Sequence, residues 1–247
     1  MASSERRAVV TGAASGIGRA VTERLLREGV GVLAADVDGS RLKDVAALGC
    51  DVFVADLADE AQRAKLAATA EGVDYLVNAA GILFVKPILE VTVEDWRRIQ
   101  TVNAESVFFL CQQIGSRLNP GGAVVNLSSS SAKLATSVDV APYAASKATI
   151  LSITRSFAYA LADRRIRVNA ICPGIVETEM QGRFLEGVAK KLGTSAAELD
   201  AERKKAVPLG RGASAAECAG LIWFLLSDDA AYLTGQAINF TGGLVNW

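Results

Sequence analysis

The stretch Arg7-Ala-Val-Val-Thr11-Gly12-Ala-Ala-Ser15-Gly16-Ile17-Gly18-Arg19 decides how this chain folds. Arg7 to Thr11 is a short, largely apolar run of strand type that stops at a glycine. From Ile17 to Glu28 the apolar residues recur with helical period. A strand therefore passes through glycines directly into a helix. Gly12 and Gly16 permit a tight turn and let backbone N–H groups approach a ligand, and Gly18 lets the helix pack closely on the strand. The start of a helix carries free N–H groups and a partial positive charge. The turn thus predicts a pyrophosphate cradle built from Gly12, Ser15, Gly16, Ile17 and Gly18.

A second strand, Val30 to Ala35, runs into Asp36, which lies 18 residues after Gly18. That is close to the spacing at which a carboxylate binds the hydroxyls of an adenosine ribose. A carboxylate there repels a 2′-phosphate. The glycine turn itself offers Ala13, Ala14 and Ser15, with no lysine or arginine to neutralise one. The predicted cofactor is NAD rather than NADP.

Working outward, strand-like runs continue at Asp51–Ala55, Val73–Asn78, Gly122–Leu127, Ile166–Ile171 and Gln236–Phe240. Helical stretches lie near 17–28, 59–70, 93–118, 142–163 and 214–226. Alternation of this kind predicts an α/β fold: a doubly wound, seven-stranded parallel sheet with helices on both faces, of Rossmann type. No repeat, linker or composition break divides residues 1–247, so one domain is expected. Ligands in such sheets bind beyond the carboxyl ends of the strands. The residues expected there are Asp56 and Leu57 after the third strand, then Asn78, Ala79, Ala80 and Gly81 after the fourth. The run Ser128–Ser131 follows the fifth, and Pro173, Gly174, Val176 and Thr178 follow the sixth.

Tyr143 and Lys147 stand four residues apart in a helical stretch and so share one face. A phenol beside an ammonium has its anion stabilised, which lowers its pKa from about 10 and suits it to acid/base work. The chain contains no histidine, which excludes Ser-His-acid hydrolysis and the usual catalytic zinc sites. A net charge of −1 shows no basic field for nucleic acid. No run of 18 apolar residues suggests a membrane span, and Met1–Arg7 does not read as a signal peptide, so a cytoplasmic location is expected. Cys50, Cys111, Cys172 and Cys218 are scattered without metal-ligand or disulfide spacing, and no metal is expected.

Taken together, Thr11-Gly-x-x-x-Gly-x-Gly18, Asn78-x-Ala-Gly81, Asn103, the serine run, Tyr143-x-x-x-Lys147 and Pro173-Gly-x-x-x-Thr178 resemble the short-chain dehydrogenase/reductase family over nearly the whole chain. The resemblance implies that Tyr143 is the general acid/base and that Lys147 lowers its pKa and binds the nicotinamide ribose. It further implies that a serine holds the substrate oxygen, that Asn103 maintains a proton relay through water, and that Thr178 contacts the nicotinamide carboxamide. The family commonly has asparagine where this chain has Ala79; the small volume is kept. Strand geometry selects Ser129 as the serine, whereas counting back from Tyr143 by the family's usual interval selects Ser130. Family members are usually homotetramers that associate through the two long helices and the final strand.

Residues 179–205 are expected to fold over the site as a lid, an amphipathic helix pair with Lys190, Lys191, Arg203, Lys204 and Lys205 on a solvated basic face. Asp139, before Tyr143, is either a polyol-binding acceptor or a turn residue. Trp247 is placed to reach a neighbouring subunit. Lid length and the Gly242-Gly243-Leu-Val-Asn-Trp247 ending are similar to family members acting on polyols, sugars and small hydroxy-ketones. The expected activity is NAD-dependent interconversion of a small polar secondary alcohol and its ketone. The alternatives are a 3-oxoacyl-carrier or CoA reductase, and a dinucleotide-sensing protein without turnover.

Overall fold

Strand β1 (Arg7–Thr11) pairs in parallel with β2 (Gly31–Asp36) on one side and with β4 (Tyr75–Asn78) on the other. In the computed structural model, which describes residues 6–135 and 137–247, these strands lie within a seven-stranded sheet. The order is β3 (Asp51–Val54), β2, β1, β4, β5 (Ala123–Leu127), β6 (Arg167–Pro173), β9 (Ala237–Phe240), parallel at every pairing. The chain winds outward in one direction from β1 to β3, then crosses back to β4 and winds the other way. That reversal opens a crevice at the carboxyl ends of β1 and β4, where the loops after the two strands diverge.

One face of the sheet is covered by α1 (Gly16–Arg27), α2 (Gly39–Ala46) and α9 (Ala215–Leu226). Val21, Leu25, Leu42, Val45, Ile222 and Leu225 bury there against Ala8, Val10 and Val32. The other face is covered by α3 (Glu60–Thr69), α5 (Ser106–Gln113) and α6 (Ala141–Ala160). Leu66, Leu110, Ile114 and Ile150 bury there against Val9, Leu76 and Val124. Val9 and Val10 thus serve opposite cores. The period-two alternation of a strand delivers adjacent residues to opposite faces, so a fully buried strand reads as an unbroken apolar run. The single Rossmann-type domain expected from the alternation is the observed one. Among the described residues no helix is long and apolar enough to cross a membrane. Met1–Glu5, part of the stretch that does not read as a signal peptide, lie outside the described residues.

Three local features differ from the sequence expectation. The helical stretches expected from the sequence include none between Asp36 and Asp51. In fact the Asp38 carboxylate accepts the N–H groups of Ser40 and Arg41 and caps a helix, α2. The stretch 93–118 is not one helix: α4 (Val93–Gln100) gives way to a π-helical turn at Thr101–Glu105 before α5. A two-stranded parallel pair, β7 (Val176–Glu177) with β8 (Ala213–Ser214), anchors both ends of the segment that holds α7 (Glu179–Leu192) and α8 (Ala196–Lys205).

Candidate active site

The crevice at the strand ends is a cavity of about 540 Å³. All the sequence-predicted site residues line it except two, Asn78 and Asn103.

The floor of the cavity is the glycine turn. The Thr11 hydroxyl accepts the N–H groups of Ala79 and Ala80 at 3.1 and 3.2 Å, tying the end of β1 to the loop after β4. Gly12 has φ +67°, and a Cβ there would stand 2.8 Å from the Ala80 Cα. A Cβ on Gly18 would stand 2.1 Å from the Gly12 carbonyl oxygen. No side chain fits at either position, which leaves bare backbone at the start of α1 facing the cavity with Ser15, Gly16 and Ile17. Asp36 holds the turn from the side. Its Oδ2 accepts the Ala14 N–H at 3.0 Å and its Oδ1 accepts the Asp38 N–H at 3.0 Å. A carboxylate has about four acceptor positions, so two stay free on a residue that lines the cavity. Asp56 and Leu57 follow β3 on the same wall, and Ala79, Ala80 and Gly81 follow β4. Asn78 is turned away: its amide donates to Asn126 Oδ1 at 2.8 Å inside the sheet. The bare floor, the open carboxylate and the small residues beyond them suit the two phosphates, ribose and flat rings of a nicotinamide dinucleotide.

The opposite end of the cavity holds the titratable pair. Tyr143 and Lys147 lie one turn apart on α6, which starts with Pro142 in its first turn. Lys147 is buried; its Nζ donates to the Leu127 carbonyl at 2.8 Å and lies 5.6 Å from the centre of the Tyr143 ring. Burial lowers its pKa to about 8. The Tyr143 phenol is pushed above its ordinary value by burial, and a hydrogen bond with the Ser129 side chain draws it part of the way back. This differs from the sequence expectation of a lowered phenol. The ammonium meant to lower it is itself desolvated and committed to a backbone carbonyl. Ser129 is the second residue after β5, and its Oγ accepts the Ser131 N–H at 3.1 Å. Both candidate serines, Ser129 and Ser130, line the cavity with Tyr143, and it is Ser129 that acts on the phenol.

Asn103 lies in the π-helical turn, fully buried. Its amide donates to the Ile82 carbonyl at 2.9 Å and to Ser146 Oγ at 3.1 Å, and its Oδ1 accepts the Ile82 N–H at 2.8 Å. It therefore latches the loop after β4 to α6. Gly81 sits between Asn103 and Lys147: a Cβ there would meet Asn103 Oδ1 at 3.3 Å and Lys147 Nζ at 3.4 Å. The extra residue of a π turn is a recurrent way of turning a side chain inward at a working site.

The third wall comes from Pro173, Gly174, Val176 and Thr178, and from α7 and α8 beyond them. Thr178 caps α7, its hydroxyl accepting the Gln181 N–H at 3.4 Å. Met180, Gln181, Phe184 and Arg203 complete the cavity on this side. The basic face expected on these helices is largely spoken for. Lys191 pairs with Asp139 at 2.7 Å, and Lys204 pairs with Asp200 at 2.7 Å and Glu177 at 3.0 Å. Asp139 thus fastens α7 to the loop before Tyr143 and does not line the cavity. A second fastening, with no signal in the sequence, joins Arg41 of α2 to Glu179 at 2.8 Å. Arg203, expected on the solvated face, instead faces the cavity. No group of carboxylates, cysteines or histidines able to hold a metal occurs among the described residues.

The family model described as enoyl-(acyl carrier protein) reductase matches residues 12–245. The 3-oxoacyl-acyl-carrier-protein reductase FabG of Thermotoga maritima is 36% identical, across 96% of this chain and 96% of that one. The D-threitol dehydrogenase of Mycolicibacterium smegmatis is also 36% identical, across 96% of this chain and 91% of that one. Among solved structures, a single-residue variant of the actinorhodin polyketide ketoreductase with NADPH superposes with a TM-score of 0.91 at 33% identity, covering 98% of each chain. The cradle for a dinucleotide, the Tyr143–Lys147 pair and these matches along almost the full length lead to one conclusion: the chain belongs to the short-chain dehydrogenase/reductase family, enzymes that depend on a nicotinamide dinucleotide.

Proposed function

We propose that this protein is an NAD-dependent oxidoreductase interconverting a small polar secondary alcohol, of sugar or polyol type, with its ketone. The observation that carries this reading is the placement of Ser129, Tyr143 and Lys147 in the same cavity as the glycine cradle and Asp36. The glycine turn would hold the pyrophosphate, Asp36 the adenosine ribose, and Lys147 and Thr178 the nicotinamide end. The cofactor, when bound, supplies a hydride acceptor or donor. Ser129 holds the substrate oxygen by a hydrogen bond. Tyr143 moves the proton at that oxygen, and with its pKa raised it is poised in the acid form that protonates a ketone. Lys147 brings positive charge to the side of the developing oxyanion. Asn103 keeps the loop after β4 and α6 in register. Residues 179–205 act as the lid over the substrate. Phe108 and Tyr159, exposed on α5 and α6, would be covered in a cytoplasmic homotetramer.

Asp36 favours NAD because its open acceptor positions suit hydroxyls and its charge repels a 2′-phosphate. The second reading, a 3-oxoacyl reductase using NADPH, is favoured by the likeness to FabG and to the ketoreductase with NADPH. Absorbance at 340 nm with NAD and NADP separately, against polyols, aldoses, small diols and hydroxyacyl thioesters, divides the two. Turnover of polyols or diols with NAD is the expected result. Turnover confined to thioesters with NADP would establish the second reading instead.

A further inference from the structure

Two residues that line the cavity on the side of α7 and α8 each hold a buried N–H donor with nothing to donate to. Arg203, on α8, stacks its guanidinium on the Phe184 ring of α7, 4.6 Å from the ring centre. Stacking fixes the plane of the guanidinium and leaves its edge N–H groups free. Its Nη1 is buried and has no hydrogen-bond partner. Arg203 makes no ion pair among the described residues; Asp200, the carboxylate whose charge acts on it, is taken by Lys204 at 2.7 Å. The Nε2 of Gln181, on α7, is likewise buried and unpartnered. Both side chains line the same cavity as Tyr143, and they reach it from different helices.

The charges around them point the same way. Glu179 is the lining carboxylate on the lid, and its oxygens are occupied by Arg41 at 2.8 and 3.0 Å and by Arg183 at 3.3 Å. The other lining carboxylates, Asp36 and Asp56, come from the end of β2 and from the loop after β3. Arg98 of α4, exposed, adds a further positive charge to the lining. A buried guanidinium N–H with no acceptor is costly, and a bound anionic oxygen removes that cost.

We propose that Arg203 and Gln181 form an anion subsite on the lid, and that the alcohol or ketone turned over here carries a carboxylate or phosphate group. The proposal rests on the cavity being the substrate site and narrows the substrate from polar alcohols in general to anionic ones.

The test uses matched pairs: short oxo-carboxylates against their uncharged amides, and hydroxyacetone phosphate against hydroxyacetone. Binding is measured calorimetrically to the Tyr143→Phe protein loaded with NADH, which removes any need for turnover. Turnover is measured in parallel with the otherwise unaltered enzyme. The charged member of at least one pair should bind roughly tenfold or more tightly than its neutral partner, and whether the carboxylates or the phosphate show this identifies the anion. Arg203→Gln should shrink that ratio about tenfold, chiefly through KM, and Gln181→Leu should shrink it less. NADH affinity of each variant serves as the check on folding. Equal binding of charged and neutral partners would overturn the subsite, as would an Arg203→Gln protein that weakens both members alike. Anion binding that persists without turnover of any compound would leave the subsite standing and count against the proposed reaction.

Discussion

The floor of the cavity and its α7–α8 wall, the proposed lid, are held by different physics. The floor is backbone packed on backbone. Gly18 lies so close to Gly12 that a single added carbon would sit 2.1 Å from a carbonyl oxygen, and the Thr11 hydroxyl joins two strand ends through main-chain N–H groups. The lid is held by side chains. Arg41–Glu179 ties its start to α2, and Lys191–Asp139 ties the end of α7 to the loop before Tyr143. Gly182 in α7 meets nothing within 4 Å beyond its own helix. A floor of this kind admits little variation and suits one invariant ligand part, the dinucleotide. A lid clasped by exposed ion pairs can change its contacts without disturbing the sheet, and suits the part of the reaction that differs from one enzyme to the next.

The same substitution should therefore have opposite signs in the two regions. Gly18→Ala forces a backbone shift and should destabilise the protein by about 3 kcal/mol while abolishing NADH binding. Gly182→Ala fills open space in a helix and should stabilise by about 0.5–1 kcal/mol. Urea unfolding of both variants checks the pair. A tolerated Gly18→Ala would break the distinction.

Next in size is the buried charge of Lys147. Its folded pKa is lowered from 10.5 to about 8, so the unfolded chain binds more protons between those values. Stability then rises with pH across about 8 to 10.5, by an amount on the order of 3 kcal/mol. Below pH 8 the penalty for burying the ammonium is fully present. Lys147→Met should remove that part of the pH dependence. Subtracting the two stability profiles isolates it from the opposite effect of Tyr143, whose raised pKa lowers stability above pH 10. A flat difference between the two profiles would contradict the assigned burial.

The smallest effect is expected at the lid clasp. Lys191→Ala removes an ion pair whose lysine is 41% exposed, so it should cost under about 1 kcal/mol. It should nevertheless loosen substrate binding, raising KM more than it lowers kcat, while leaving NADH affinity unaltered. A matching loss of NADH affinity would mean that floor and lid are not separable.

This division also explains what could be read from the chain. The floor is written locally: a strand, glycines at fixed offsets, a helix, and an acid at the end of the next strand occupy one continuous stretch from Arg7 to Asp36. Helix α2 was legible in principle, because Asp38 is a good cap and Leu42 and Val45 have helical spacing, but the Asp36-Val-Asp-Gly run imitates a turn. The π turn at Asn103 has no local signal, since its extra residue is stabilised by Ile82 and Ser146 from other elements. The partners of Glu179 and Lys191 stand 138 and 52 residues away in the chain, so no periodicity within α7 announces them. Arg203 resembles its neighbours Lys204 and Lys205 in the sequence; only the placement of Phe184 distinguishes it. The pKa of Tyr143 goes the other way from expectation because i,i+4 spacing reports proximity and says nothing of desolvation.

The most direct test of the account is Tyr143→Phe, with NADH affinity and turnover measured on the same preparation. Loss of turnover by about 10²- to 10⁴-fold with NADH affinity unaltered would be the signature of a proton-transfer group set apart from the floor that binds the dinucleotide. Near-normal turnover would contradict the role given to Tyr143. Loss of NADH affinity together with activity would contradict the separation of floor from chemistry.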